Sequence, residues 1–435
     1  MSRSPRHPPR PSPRAIAVDL LSAILDRQRL LDEVLEDSRL AGLDERDRGF
    51  VRLLLATVLR RLGQIEALIE TCLDKPLPAK AAAAQHALRL GIAQLLFLDV
   101  PPHAAISTSV DLVKGTQLAG FAGLINAVLR RLVRDGAAMV AGQDAAQLNM
   151  PDWLWRSWTS AYGEDATRAI AAAHLVEAPM DITVATDPQG WAERLEAEIL
   201  PGGSLRRLGG GGSVTGLPGF DQGTWWVQDA AAALPVGLLG DVAGKSVADL
   251  CAAPGGKALQ LAAAGAVVTA VDRSAKRLVR FSDNLARLGL TATVVEADAG
   301  VWKPPQPFDA ILLDAPCSAT GTLRRHPDVA WHKNPAEVVK LAGVQARLLR
   351  AALPMLKPGG LLVYCVCSLQ PEEGLEQVDR LLAEGAPLRR IPITADEVGG
   401  LADAITAVGD LRTLPCHLAE WGGMDAFFAA RLQRT

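Results

Sequence analysis

The sequence predicts a multidomain protein with an all-α N-terminal domain, a small α+β connector and a doubly wound α/β domain. Three observations predict this architecture. The chain has 435 residues, more than one compact core usually accommodates. Its first third repeats apolar residues at three- and four-residue steps, which is typical of helices. Its last two fifths alternate apolar strands with helices, which indicates a mostly parallel sheet.

Composition separates the chain into four segments. Residues 1–13 are rich in Pro and Arg and predict a disordered basic tail. Residues 14–138 are predicted to form the helical domain, residues 148–240 the connector and residues 241–435 the α/β domain. Within the connector, PMDITVAT alternates like a strand, whereas PGGSLRRLGGGGS predicts a turn-rich insertion.

Charge and cysteine content limit the function classes. The formal net charge is −3, so a nucleic-acid site would have to be a local basic patch. The six cysteines are scattered and form no paired CxxC arrangement, which disfavours both a disulfide scaffold and a zinc site. No leader-like or bilayer-length apolar run is apparent. We therefore expect a cytoplasmic monomer that contains no metal and does not enter membranes.

A glycine-containing turn follows the first strand of the α/β domain. In DLCAAPGGK, residues 249–257, the strand ends and a helix begins, so the glycines allow close approach of a ligand and the helix start offers N–H groups. A triphosphate-binding Walker A loop would need Gly at Cys251 and Ser or Thr at Ala258. The GxGxxG spacing of dinucleotide sites is also absent from this turn.

Carboxylates follow the next three strands of this domain. Asp272, Asp298 and Asp314 come at or near the ends of AVVTAVD, TATVVEAD and FDAILLD. A carboxylate one strand beyond the glycine turn suits hydrogen bonding to ribose hydroxyls. An isolated Asp at the end of a strand caps a helix about as often as it binds a ligand. The combination predicts a nucleoside cofactor without a triphosphate, and S-adenosylmethionine fits that description.

Two cysteines are expected to face the same cleft from neighbouring strand ends. Cys317 lies in DAPCSATG and Cys367 lies in YCVCSLQPEE. Strand alternation cannot choose between Cys365 and Cys367, because residues two apart share a face. Cys365 is deeper in the apolar run, so we assign it to packing and Cys367 to chemistry. Cys72 and Cys416 are expected to be small buried hydrophobes.

A thiol beside a methyl donor suggests methylation of a pyrimidine. Carbon 5 of cytosine is a poor nucleophile, but addition of a thiolate to carbon 6 makes it an enamine carbon that accepts a methyl group. The proton at carbon 5 must then leave and the thiol must be eliminated, and a second group assists. The opposite assignment, with Cys317 as nucleophile, remains an alternative at this point.

Four motifs together resemble the NOL1/NOP2/Sun family of RNA cytosine-5 methyltransferases. They are DLCAAPGGK, VDRSAKRL, DAPCSATGTLRRHPDVAW and YCVCSLQPEE, and the resemblance spans roughly residues 148–435. The helical region resembles a NusB-like RNA-binding domain in DLLSAIL, RGFVRLLL, PPHAAIS and INAVLRR. This combination is similar to the RsmB branch, which implies methylation of cytosine 967 of 16S rRNA. The alternatives are another rRNA or tRNA cytosine, or a noncatalytic NusB-like RNA-binding factor.

The resemblance also implies roles for individual residues. It makes Cys367 the attacking nucleophile and Cys317 the residue that assists release. The positions that match the cofactor site are Cys251, Ala252, Ala253, Pro254, Gly255, Gly256, Lys257, Asp272, Asp298 and Asp314. The chain departs from the usual YSTCS pattern at Cys365 and Val366, and its TVATD stretch replaces an RVN-like segment.

Arg324, Arg325 and Asp328 follow the DAPCS turn and are expected to face the substrate. A guanidinium there could hold a phosphate or a base edge. The alternative is a solvated basic loop. Lys257 is similarly either a helix-start cation or a contact to RNA or to Asp314.

Overall fold

The computed structural model describes residues 12–209 and 213–435, which divide into two compact units. The first unit contains the described residues up to Trp155 together with His326–His332. The second contains Arg156–Arg325 and Lys333–Thr435. The predicted basic tail lies outside the described residues except for Ser12 and Pro13, which begin the first helix.

The N-terminal part of the first unit consists of helices around one apolar core. Its core includes Leu21, Leu54, Leu88 and Leu129, each essentially unexposed. Several helix starts follow local sequence signals, such as Asp44, whose side chain accepts a hydrogen bond from the N–H of Asp47. The helices are α1 (Pro13–Leu25), α2 (Leu31–Val34), α3 (Ser38–Ala41), α4 (Glu45–Arg60), α5 (Leu62–Cys72), α6 (Ala82–Leu96), α7 (Pro102–Asp111), α8 (Ala122–Ala141) and α9 (Ala145–Leu148).

The connector combines helices with a small antiparallel sheet. The sheet has the strand order β2-β3-β1-β4. Its elements, with the helix that leads into it, are α10 (Asp152–Tyr162), α11 (Glu164–His174), β1 (Asp181–Val184), α12 (Pro188–Arg194), β2 (Ala197–Ile199), β3 (Leu205–Arg207), β4 (Trp225–Val227) and α13 (Ala230–Gly237).

The stretch predicted as a turn-rich insertion contains a strand instead. Leu205–Arg207 form β3, which pairs with both β1 and β2. Leu205 is buried, and the Arg206 guanidinium donates to both carboxylate oxygens of Asp181 at 2.7 Å. Bidentate charge-assisted bonds are strong and directional. Tertiary pairing therefore overrides the glycine-rich composition at this position.

The α/β domain contains an eight-stranded mixed sheet. Its order is β10-β12-β9-β8-β5-β6-β7, with β11 paired to β12. Each neighbouring pair among β9, β8, β5, β6 and β7 is parallel, and β12 runs antiparallel to β9. The elements are β5 (Ser246–Leu250), α14 (Gly256–Ala263), β6 (Val267–Asp272), α15 (Ala275–Leu288), β7 (Thr293–Glu296), β8 (Phe308–Asp314), α16 (Val329–His332), α17 (Pro335–Ala352), β9 (Leu356–Val366), α18 (Leu375–Ala383), β10 (Leu388–Arg390), β11 (Leu411–Arg412) and β12 (Phe428–Arg434).

Helices cover both faces of this sheet. Leu312 and Val363 belong to an apolar core shared with Phe281 of α15, whereas Leu313 and Tyr364 belong to another shared with Leu348 of α17. The alternation of successive strand residues between two cores is the pattern of a buried parallel sheet. The prediction of a doubly wound α/β domain is therefore confirmed. Because β5, β6, β8 and β9 are parallel, the residues that follow them meet at one edge.

The short segment His326–His332 belongs to the first unit although its neighbours in sequence belong to the second. Asp328 accepts a hydrogen bond from the N–H of Leu31 at the start of α2, over 2.9 Å. The Trp331 indole N–H donates to the carbonyl of Leu59 at 2.9 Å. Asp328 therefore satisfies one of the N–H groups that a helix start leaves without an intrahelical partner.

Candidate active site

The turn after β5 has a backbone that requires glycine. Gly255 has φ 113°, and a Cβ built there would lie 2.1 Å from Cδ2 of Phe281. Cys251 also has a positive φ, 65°. The chain thus turns sharply from β5 into α14, and Gly255 allows both the positive φ and the close approach of the Phe281 ring.

Asp272, the last residue of β6, holds this turn. Its Oδ2 accepts a hydrogen bond from the N–H of Ala253 at 3.1 Å, and its Oδ1 accepts one from the N–H of Ser274 at 2.9 Å. The residue is only 3% exposed. Because a carboxylate oxygen has two lone pairs, Oδ1 retains the capacity to accept from a ribose hydroxyl.

Asp298 lies two residues beyond β7 and is oriented by its neighbours. It accepts from the N–H of Gly300 at 2.8 Å and from the Arg347 guanidinium at 3.1 and 3.2 Å. The backbone bond from Gly300 and the bond from Arg347 lower the pKa of Asp298. Its carboxylate is therefore ionised near neutral pH.

Asp314, at the end of β8, pairs with the lysine of the cofactor turn. Lys257 Nζ lies 2.7 Å from its Oδ2, and the Cys365 thiol donates to its Oδ1 over 3.7 Å. Burial opposes the charge on Lys257, but the attraction of Asp314 outweighs it and raises the pKa of Lys257. Of the possibilities raised by the sequence, the structure shows the contact to Asp314.

Asp249 is a buried carboxyl that sequence reasoning did not single out. It is the last but one residue of β5 and is fully buried. Within the described part of the chain, neither of its carboxyl oxygens has a hydrogen-bond partner. Burial and the nearby charge of Asp314 raise its pKa well above the ordinary value. Its place at the head of DLCAAPGGK was the signal that could have identified it.

These residues fit S-adenosylmethionine. Small residues form the turn, Asp249 is a buried carboxyl without a partner in the described residues, and Asp272 and Asp298 present carboxylates at or after the ends of the next two strands. A nucleoside with a cationic sulfur and an amino group suits such a carboxylate-rich edge. Cys251–Lys257 with Asp272, Asp298 and Asp314 would hold it.

The sulfur atoms of Cys317 and Cys367 lie together at the same edge of the sheet. Their Sγ atoms are 3.5 Å apart and both residues are partly exposed. Cys317 follows β8, and Cys367 follows the last residue of β9. Cys365, by contrast, is wholly buried within β9. Sequence position alone was therefore sufficient to separate the buried thiol from the exposed one.

Three cysteine thiols near this edge have raised pKa values. The hydrogen bond to Cys367 and burial raise the pKa of Cys317 well above its ordinary value. Burial and the charge of Asp314 do the same to the pKa of Cys365. Burial and Asp272 raise the pKa of Cys251 to about 12. These three cysteines thus remain thiols at neutral pH.

Arg324 is buried and Arg325 is partly exposed and ion-paired, so the alternative of a solvated basic loop is wrong. Arg324 is 1% exposed and donates to the carbonyl of Gly422 at 2.5 Å. Arg325 pairs with Asp425 and, at 3.7 Å, with Asp229. Burial raises the pKa of Asp425 to about 7. The substrate role of both arginines stays a prediction, as does that of Asp328, which caps α2 in the first unit.

We expect Asp272→Ala to weaken S-adenosylmethionine binding, because the change removes the bond to Ala253 that holds the turn and the proposed acceptor for ribose. Hydrogen bonds to a charged group contribute enough that the dissociation constant should rise about 10- to 100-fold. Titration calorimetry measures this. Asp283→Ala, an exposed change in the following helix α15, is the control. Equal affinity of the two variants would contradict the role of Asp272.

Two further properties concern the described residues only. Within residues 12–209 and 213–435, no group of three or more His, Cys, Asp or Glu side chains is arranged to hold a metal ion. None of the helices in those ranges has the length and apolar character needed to cross a membrane.

Known proteins match this chain over most of its length. The family model described as 16S rRNA methyltransferase RsmB/F matches residues 237–433, and the NusB family model matches residues 11–134. Ribosomal RNA small subunit methyltransferase B of Salmonella arizonae is 37% identical, and the alignment covers 96% of this chain and 98% of that protein. The chain belongs to the RsmB/F methyltransferase family.

A second relative and a solved structure agree with this result. The protein of the same name from Cronobacter sakazakii is 36% identical over 85% of this chain and 90% of its own length. The crystal structure of PH0851 has a TM-score of 0.76 at 20% identity, covering 97% of this chain and 99% of that one, and therefore shares the fold. Both the NusB-like helical domain and the Rossmann-like methyltransferase domain are confirmed.

Family membership confirms the class of activity expected from the motifs. The chain is an RNA cytosine-5 methyltransferase that uses S-adenosylmethionine. The alternative of a noncatalytic RNA-binding factor is wrong, since the methyltransferase family model matches nearly the whole α/β domain.

Proposed function

We propose that this enzyme methylates carbon 5 of cytosine 967 in 16S rRNA through a covalent bond between Cys367 and the base. The observation that carries the proposal is the pair of partly exposed sulfurs, 3.5 Å apart. They follow two neighbouring parallel strands, and the Lys257–Asp314 ion pair lies at the end of one of them. The relatives' names, which refer to the small ribosomal subunit, support an rRNA substrate.

In the proposed reaction the Cys367 thiolate adds to carbon 6 of the cytosine, and the carbon 5–carbon 6 electron pair becomes nucleophilic at carbon 5. S-adenosylmethionine supplies an electrophilic methyl group to that carbon. A base then removes the proton from carbon 5, the double bond re-forms, and the sulfur–carbon 6 bond breaks to return the Cys367 thiolate. Cys317 assists this release because its sulfur lies beside that of Cys367.

Position and burial support Cys367 over Cys365 as nucleophile. Either sulfur of the Cys317–Cys367 pair could donate in their hydrogen bond, and the raised pKa of Cys317 favours its protonated form. A donated S–H stabilises negative charge on the accepting sulfur. Cys365 is buried and has a raised pKa, which leaves Cys367 as the nucleophile we propose.

The helical domain would contribute RNA affinity, because it matches the NusB family. We further propose that the enzyme acts as a monomer in the cytoplasm, where ribosomal subunits mature. Another rRNA or tRNA cytosine is the second candidate, since the chemistry of the site is the same for any cytosine that can leave its stack.

Bisulfite sequencing of total RNA tests the target. We compare cells lacking the gene with cells that carry the wild-type gene or the Cys367→Ala gene. The expected result is loss of protection at cytosine 967 in the deletion strain, restored only by the wild-type gene. If cytosine 967 still resists bisulfite conversion in the deletion strain and another cytosine has lost its resistance, the RNA that contains that other cytosine is the substrate.

A further inference from the structure

We propose that Glu373 is a positioning residue that holds the sulfurs of Cys317 and Cys367 at their working separation. It does so by bonding the serine that follows each cysteine. The inference rests on the proposed function for its catalytic consequence, whereas its geometric consequence can be measured without RNA.

Glu373 receives four hydrogen bonds on two carboxylate oxygens. Oε1 accepts from the N–H of Ser318 at 2.9 Å and from the Gln345 amide at 3.1 Å. Oε2 accepts from the hydroxyls of Ser318 and Ser368, each at 2.5 Å. Ser318 follows Cys317 and Ser368 follows Cys367 in sequence. One side chain thus ties the β8 loop to the end of β9 immediately beside both thiols.

The bonds around Glu373 leave little freedom. The residue is wholly buried, and its own carbonyl accepts from the Tyr364 hydroxyl at 2.5 Å. The Ser368 hydroxyl also accepts from the N–H of Gln370 at 3.0 Å. The N–H of Gly321 donates to the carbonyl of Cys367 at 3.0 Å, a second tie between the two segments. Because both oxygens of the buried Glu373 carboxylate are bonded, this network restricts the arrangement of the two segments.

A carboxylate matches this set of partners as they stand. All four groups that point at Glu373 donate, and each carboxylate oxygen receives two of them. In one orientation a glutamine would place its NH₂ group against the two N–H donors, and in the other both serine hydroxyls would have to turn from donors into acceptors. Glu373 also has an electrostatic effect, because its charge is among the causes that raise the pKa of Cys317. The same residue therefore helps Cys317 keep its proton.

Glu373→Gln tests the inference, and Glu376→Gln is the matched control because Glu376 is exposed only three residues away. We treat each full-length protein with diamide, which takes two electrons and two protons from a pair of thiols. Peptide mass spectrometry then follows the Cys317–Cys367 disulfide. Sulfurs displaced by about 1 Å lose roughly 100-fold in reactions that need alignment. We expect the disulfide to form at least about tenfold more slowly in Glu373→Gln and at the wild-type rate in Glu376→Gln.

The catalytic readout separates positioning from binding. In Glu373→Gln we expect kcat to fall about 10- to 100-fold while KM for RNA and affinity for S-adenosylmethionine change less than about twofold. If this variant does not fold, Ser318→Ala combined with Ser368→Ala removes two donors and keeps the carboxylate. Disulfide formation at the control rate in whichever variant folds would overturn the inference. The proposed function is tested separately, with the wild-type enzyme. If the disulfide forms more slowly in Glu373→Gln but the wild-type enzyme methylates no RNA, the role of Glu373 is supported and only the proposed function is contradicted.

Discussion

Cys367→Ala abolishes methyl transfer and the covalent complex with RNA. Without the sulfur at position 367 no bond forms to carbon 6, so carbon 5 stays unreactive. Removal of a covalent nucleophile lowers kcat by roughly 10⁴-fold or more. Transfer of radiolabelled methyl groups to RNA measures the rate, and a denaturing gel detects the complex.

The control for this variant lies on the same strand. Cys365→Ser removes a neighbouring thiol, but a serine hydroxyl can still donate to Oδ1 of Asp314. We expect this variant to keep methyl transfer within a few-fold of wild type, since serine is close to cysteine in size and keeps the hydrogen-bond donor to Asp314. Activity in Cys367→Ala with loss in Cys365→Ser would reverse the assignment that burial supports.

Cys317→Ala has a different expected result, because it blocks release and leaves attack possible. The variant retains Cys367, so the covalent bond forms and the methyl group is transferred. Loss of an acid–base group slows the step it assists by about 10²- to 10⁴-fold. A stable protein–RNA complex should therefore accumulate on a denaturing gel.

The Cys317→Ala,Cys367→Ala double variant is the control for that complex. It lacks both sulfurs and should form none. Cys317→Ala without any accumulated complex, together with accumulation in Cys367→Ala, would show that Cys317 is the attacking residue.

The sequence was sufficient for those parts of the site that lie close together along the chain. The cofactor turn is one continuous stretch of small residues, and strand ends mark Asp272 and Asp314. The proximity of Cys317 and Cys367 could be predicted because both follow parallel strands, whose carboxyl ends meet at one edge. Periodicity likewise predicted the helical domain, since its core is made by repeated local patterns.

Features that depend on distant partners were missed. Glu373 is bonded to Ser318, which lies 55 residues earlier, and nothing in the local pattern indicates that contact. The residues of β3 are predicted as turns from the sequence, because the pairing with β1 and the bond from Arg206 to Asp181, 25 residues earlier, are not visible in the local pattern. The sequence left open whether Arg324 faces the substrate or solvent, and it did not predict that tertiary packing buries this residue. Burial and pairing of charges are properties of the whole fold.

The attacking atom can be identified directly with RNA that carries 5-fluorocytidine at the target position. Elimination requires removal of a proton from carbon 5, and a fluorine at that carbon cannot be removed in this way. The enzyme therefore remains covalently bound to the methylated base. Digestion and mass spectrometry of the purified complex then locate the modified cysteine. We predict that the nucleotide is attached to Cys367, the partly exposed cysteine after β9. Attachment to Cys317 or Cys365 would contradict the account.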